Sequence, residues 1–171
     1  HVLFTKRPNK EVVIDNMLES SYFHASSWVF NKDLFNPLDY VGNDILLRDH
    51  PSFILCATKG KIGFLNEIMS VYMKNPYGLS SRISHKQIYE ANLKMIDGLY
   101  TEIGKGFKWR RHYMIAHQCK VYIYNSDNLS SVEVYKLYFK FVISSFYIFP
   151  KNIPKILHLS YRLIFSGYPI K

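Results

Sequence analysis

Cysteine is scarce in this chain: Cys56 and Cys119 are the two present in 171 residues. They lie far apart, outside any CxxC or Cys/His spacing, which excludes a disulfide-rich scaffold and a zinc-finger-like site. A reduced, intracellular compartment is the default expectation. The catalytic signatures HExxH, GxGxxG, GxSxG and the phosphate-binding P-loop are absent, so nothing points to a zinc peptidase, a dinucleotide fold, a hydrolase elbow or a P-loop NTPase. No two Asp or Glu residues stand two apart, so an Asp-x-Asp metal clamp is missing. His112 and His117 are five apart and do not share a helix face, which argues against a two-histidine metal site. Gly and Pro number only 8 and 7, and with 48% apolar residues the chain can fill a core of one-domain size.

Acidic residues are in the minority, 13 against 22 Lys and Arg, for a net charge of +9. Such a balance favours a polyanionic neighbour, whether nucleic acid, anionic lipid headgroups or a phosphorylated small molecule. The lysines are spread along the chain. No RRM-like aromatic box, zinc-finger spacing or helix-turn-helix signature occurs, so nucleic acid is not expected as a partner. The chain begins at His1, with neither an initiator Met nor a signal-peptide layout, and is read as a piece of something longer.

The first thirty residues hold a short apolar run, Val12-Val13-Ile14, a helical turn through Asn16 to Ser20, and the stretch Tyr22 to Phe30, read as a strand buried on both faces. Asn36-Pro37 and Gly42-Asn43 mark a loop. A helix follows, starting near Asp49 or Pro51, since proline suits a first turn and an Asp suits the positive helix end. Phe53 to Ala57 is almost wholly apolar, which predicts deep burial. Lys59-Gly60 ends the helix, with Gly60 able to adopt a left-handed cap. Ile62 to Leu65 and Ile68 to Tyr72 read as two short strands. The expected fold class is therefore α/β up to about Arg82.

After that point the pattern becomes helical, with capping boxes at Ser84 and Gln87 and at Ser130 and Glu133. The first opens a helix carrying Ile96, Leu99, Tyr100 and Ile103, stopped at Gly104 and Gly106. A second helix is predicted from about Lys108 to Tyr124, a third from about Ser131 to Phe149 and a fourth from about Pro154 to Phe165. The last forty residues interleave Tyr, Phe, Leu and Ile with Lys136, Lys140, Lys151, Lys155 and Arg162. That run is too short and too charged to span a bilayer. Two readings stay open: a helix pair packed on the α/β part or on an absent half of a longer protein, or an aromatic face lying on an anionic membrane surface.

Asp49-His50-Pro51, then Lys59-Gly60-Lys61-Ile62, then Glu67-Ile68-Met69-Ser70-Val71-Tyr72, closed by Asn75-Pro76-Tyr77-Gly78-Leu79-Ser80, stand in one order. This order resembles the acceptor-side half of family 2 glycosyltransferases. Those enzymes carry an Asp about eleven residues before the Gly of Gly-Lys-Ile, as Asp49 precedes Gly60, and then a strand reading Glu-Val-Met-Ser-Val-Tyr-Arg. The resemblance covers roughly Asn16 to Ser81.

It implies the later half of a GT-A type mixed sheet over residues 1–82 and a helical C-terminal extension over 83–171. The implied activity is an inverting transfer from a nucleotide-sugar donor to a glycan or lipid-linked acceptor, as in polysaccharide or glycoconjugate synthesis. Asp49 would be the general base, because a sugar hydroxyl is a poor nucleophile until its proton is taken. Asp44 is the runner-up, at too long a distance from Gly60. His24 and Ser27 would shape the acceptor pocket beside His50, with Phe30-Asn31 where the family often has Phe-Arg. The loop holding Lys74, Asn75 and Arg82 would face the donor diphosphate, and the family's Arg and His are both replaced there. A divalent metal, Mg or Mn, is implied for a full-length protein, with ligands mainly outside this chain. The expected location is the cytoplasm, at the inner face of the membrane as a peripheral protein. The alternative is a non-catalytic basic, aromatic module that binds a membrane surface or another protein.

Overall fold

The computed structural model describes residues 13–18, 28–31, 33, 49–63, 77–78, 82–147, 154, 157, 158 and 160. The chain divides into two compact units, His1–Ile83 and Ser84–Lys171.

Among the described residues of the first unit the main element is helix α1, Asp49–Lys59. Pro51 lies in its first turn, where a missing N–H leaves no helical bond unmade. Five consecutive residues, Pro51 to Leu55, are buried, so this segment is covered on every side, as its unbroken apolar run demands. A 3-10 turn, Ile14–Met17, packs against it. Met17, Leu18, Phe53 and Ile54 are almost wholly inaccessible to solvent. The Trp28 ring meets Phe53 edge-on at 4.6 Å between centroids. At the other end Gly60 donates its N–H to the Cys56 carbonyl at 3.2 Å. Among the described residues Gly104 is the one with positive φ, so Gly60 closes α1 without the left-handed conformation expected of it.

The expected α/β class is corrected. Among the described residues there is no strand, and β-type pairing is confined to a single-residue bridge at Ile62. The strand anticipated over Tyr22 to Phe30 fails where it is described, because Val29 is 91% exposed. Trp28 turns its ring onto Phe53 and also meets Phe30 at 4.5 Å, which leaves Val29 outside. A short apolar run does not by itself distinguish a strand from another buried segment. The pairs anticipated at Ile62 to Leu65 and Ile68 to Tyr72 lie, apart from Ile62 and Gly63, outside the described residues. A partial GT-A mixed sheet is therefore not the architecture of what is described, which is helical.

The second unit contains α2, His85–Ile103, α3, Lys108–Asn125, and α4, Ser131–Phe146. Both anticipated capping boxes form: Ser84 accepts from the Gln87 N–H at 3.2 Å while Gln87 accepts from the Ser84 N–H at 3.0 Å. Ser130 and Glu133 repeat the exchange at 3.3 and 2.9 Å. Each box satisfies donors that a helix start otherwise leaves unpaired. Gly104 ends α2 at φ 81°, with its N–H on the Tyr100 carbonyl at 2.9 Å, a conformation costly for any residue with a Cβ. A 3-10 turn, Lys105–Phe107, reverses the chain and buries Phe107.

α2 packs on α3 and α3 on α4. Ala91, Met95, Ile96 and Leu99 of α2 meet a core that includes Met114, Ile115, Cys119 and Ile123 of α3 and Val134, Leu137 and Phe141 of α4. Each large side chain so buried contributes about 1.5–3 kcal/mol. Positions 154, 157, 158 and 160 are also helical, and the Ser160 hydroxyl hydrogen-bonds that of Tyr138.

Candidate functional site

Asp49 is the first residue of α1 and is exposed. The N-terminal end of a helix favours negative charge through its unpaired N–H groups. The residue after it points the other way. His50 is half-buried, and its Nε2 lies 2.5 Å from the Met17 carbonyl oxygen. A carbonyl can only accept, so Nε2 carries the proton. Burial holds the His50 pKa below the usual imidazole range, and the hydrogen bond to Met17 opposes that shift without overcoming it. His50 is thus a neutral tether between α1 and the 3-10 turn, and this nitrogen is committed away from any substrate.

The start of α1 is consequently held from several directions: by His50 on Met17, by Phe53 under Trp28, and by the burial of Pro51 to Leu55. An exposed carboxylate on an element so fixed has the geometry of a positioned acid or base. Cys56, about two helical turns further on, is not a nucleophile, since burial pushes its thiol up to about 11 and the thiol form is unreactive.

Arg82 is exposed and described; His24, Ser27, Lys74, Asn75 and the alternative base Asp44 lie outside the described residues. Of the donor-side loop, Tyr77 and Gly78 form an exposed and a half-buried turn position. No group of three or more His, Cys, Asp or Glu side chains suited to a metal ion occurs among the described residues; the family resemblance puts the ligands of its divalent metal mainly outside this chain.

A second polar cluster joins the three helices of the other unit. The Tyr89 hydroxyl lies 3.6 Å from Cys119 Sγ, and Lys140 Nζ donates to it at 3.4 Å. Burial raises the pKa of both Tyr89 and Cys119. For Cys119 the nearby Lys140 charge works in the opposite direction and loses to desolvation. Neither group ionises near neutrality, so the cluster holds no nucleophile. Asn92 Nδ2 donates to Gln118 Oε1 at 2.9 Å within the core, and the Tyr89 and Tyr122 rings stack at 4.7 Å. These contacts lock α2, α3 and α4 together.

Sequence reasoning singled out Asp49 and the start of its helix, and it missed Met17 and Trp28. The His50 bond spans 33 residues, and no local spacing announces it. No protein-family model matches the chain, and neither a curated protein nor a solved structure gives a significant match.

Proposed function

We propose that this chain is the acceptor-side part of an inverting glycosyltransferase, with Asp49 as its general base. The observation that carries the reading is an exposed carboxylate at the first position of a helix whose next turn and a half is buried and tethered. The order of motifs from Asp49 through Gly60-Lys61-Ile62 to Tyr72 supports it; no sheet is invoked.

In the reaction an Asp49 carboxylate oxygen accepts the proton of the acceptor hydroxyl. The deprotonated acceptor oxygen attacks the anomeric carbon of the donor, and the nucleotide diphosphate leaves from the opposite face, so the configuration inverts. His50 serves as a positioning residue, because its bond to Met17 fixes the helix end that carries the base. Lys74, Asn75 and Arg82 are assigned to the donor diphosphate, whose charge suits cationic donors. His24 and Ser27 are assigned to the acceptor side. An Asp-x-Asp absent from these residues must come from elsewhere in a longer protein, so the chain alone has no transferase activity.

Asp49→Asn keeps size and shape and removes the base. In the intact protein it lowers kcat by about 10²–10⁴-fold with little change in KM. Turnover near that of the wild type would put the base elsewhere, and sugar transfer by residues 1–171 alone would refute the division of labour.

A further inference from the structure

Helix α4 is apolar on two opposite faces. One face, with Val134, Leu137, Phe141, Ser144 and Ser145, is buried. The other carries Val132, Tyr135, Phe139, Ile143 and Phe146, stepping by three and four residues and so forming one stripe. All five are exposed, with Tyr135 at 69%, Phe139 at 67% and Phe146 at 65%. At 1.5 Å per residue the stripe is about 21 Å long. Among the described residues nothing covers it, and it is far more apolar than a solvated helix face requires.

The charges around the stripe are predominantly basic. Lys136 and Lys140 are exposed along one rim. The acid on α4, Glu133, is engaged by Ser130 in the cap. Near the end where Phe146 emerges, Lys108 lies over the Tyr147 ring at 5.7 Å and His112 stacks on that ring at 3.8 Å. Partly exposed Trp109 carries the Arg110 guanidinium over its face at 4.6 Å. Residues 84–171 contain thirteen Lys and Arg against five Asp and Glu, a net +8 out of the chain total of +9.

We propose that this face of α4 docks on an anionic phospholipid surface. The stripe would lie at the boundary between headgroups and acyl chains, with Lys136, Lys108 and Arg110 directed to lipid phosphates and Trp109 and Tyr147 at headgroup depth. No helix among the described residues is long and apolar enough to cross a membrane, so the helix lies on the bilayer. Two features favour lipid over the other occupants. A second copy would set one +8 unit against another and Lys136 near its own equivalent, which repels. A nucleic acid would use the cations and leave Val132, Phe139 and Ile143 without a function. This inference stands independently of any role for Asp49.

The test is flotation of the full chain with vesicles of phosphatidylcholine containing about 30 mol% phosphatidylserine, beside pure phosphatidylcholine. The wild type floats with the anionic vesicles and binds the neutral ones about tenfold or more weakly. Phe139→Glu with Phe146→Glu lowers anionic binding by about tenfold or more, and circular dichroism verifies that these exposed positions leave the helices intact. Lys136→Glu, at the rim, weakens binding by about fivefold. Absence of flotation at low salt overturns the proposal, as does binding that the double Phe variant leaves unchanged. A dimer that the double variant dissociates, with vesicle binding unaffected, would assign the face to a second copy instead.

Discussion

The two units solve different problems with the same kind of element. Residues 1–83 carry nine basic and eight acidic side chains and bury the first half of α1 on all sides, leaving one carboxylate, Asp49, at its exposed tip. Residues 84–171 carry nearly all the excess charge and leave a whole face of α4 open. A helix enclosed by its unit can hold a single group to a fixed position, which catalysis needs. A helix covered on one side offers area, which a surface contact needs. On the two proposals made above, the contrast would separate a place for chemistry from a place for attachment within one chain.

The largest expected way to break this contrast is to remove the core of the first unit. Phe53 is fully buried and meets Trp28, so Phe53→Ala costs about 3–5 kcal/mol. Urea unfolding of the full chain should show the loss in the transition that includes Trp28, with the helical signal of residues 84–147 retained. A uniform shift of both would mean that the units do not unfold separately.

Acid should affect both units in the same direction. Burial lowers the pKa of His50 in one unit and of His112 in the other, where the charges of Arg111 and Lys108 add to the effect. For a histidine lowered on folding, the unfolded chain binds protons more readily. Its stabilising contribution is therefore complete above the unfolded value of about 6.5 and is lost as pH falls from there toward the folded pKa. Melting temperatures should fall between about pH 6.5 and 5. His112→Phe should flatten that slope for the helical unit while leaving the His50 contribution, and a slope that this change leaves intact would contradict the assignment. His112 Nδ1 is buried without a hydrogen-bond partner among the described residues, so the same variant removes an uncompensated polar atom.

The smallest effect sharpens the second unit alone. Ser130→Ala removes the hydroxyl that accepts from the Glu133 N–H and should cost about 1 kcal/mol. The same serine lowers the Glu133 pKa, so the variant should return that carboxyl toward its ordinary range in a carbon-13 titration. An unchanged Glu133 would mean that the box contributes nothing in solution.

Much of the helical unit was legible beforehand. Ser84 with Gln87 and Ser130 with Glu133 announced two helix starts, and Gly104 a stop, because caps are bonds between residues three or four apart. The start of α1 at Asp49 and its burial were legible for the same reason: an acid, a first-turn proline and an unbroken apolar run are local signals. The strand expected over Tyr22 to Phe30 was misread where it is described, since alternation in aromatic residues reports two sides of a chain without saying what stands against them. Val29 alternates correctly and has nothing over it. The identity of Asp49 as a candidate was legible; the tether beneath it was not.

The amino-acid order alone determined where the helices of residues 84–147 begin, and that Asp49 opens a buried one, because these outcomes depend on neighbours within a turn. Tertiary structure decided the rest. It chose which of two apolar faces of α4 to cover, since either satisfies helical periodicity and only contact with α3 breaks the tie. It also made His50 a neutral strut and not a ligand, through a carbonyl 33 residues away, a distance over which sequence spacing carries no geometric information.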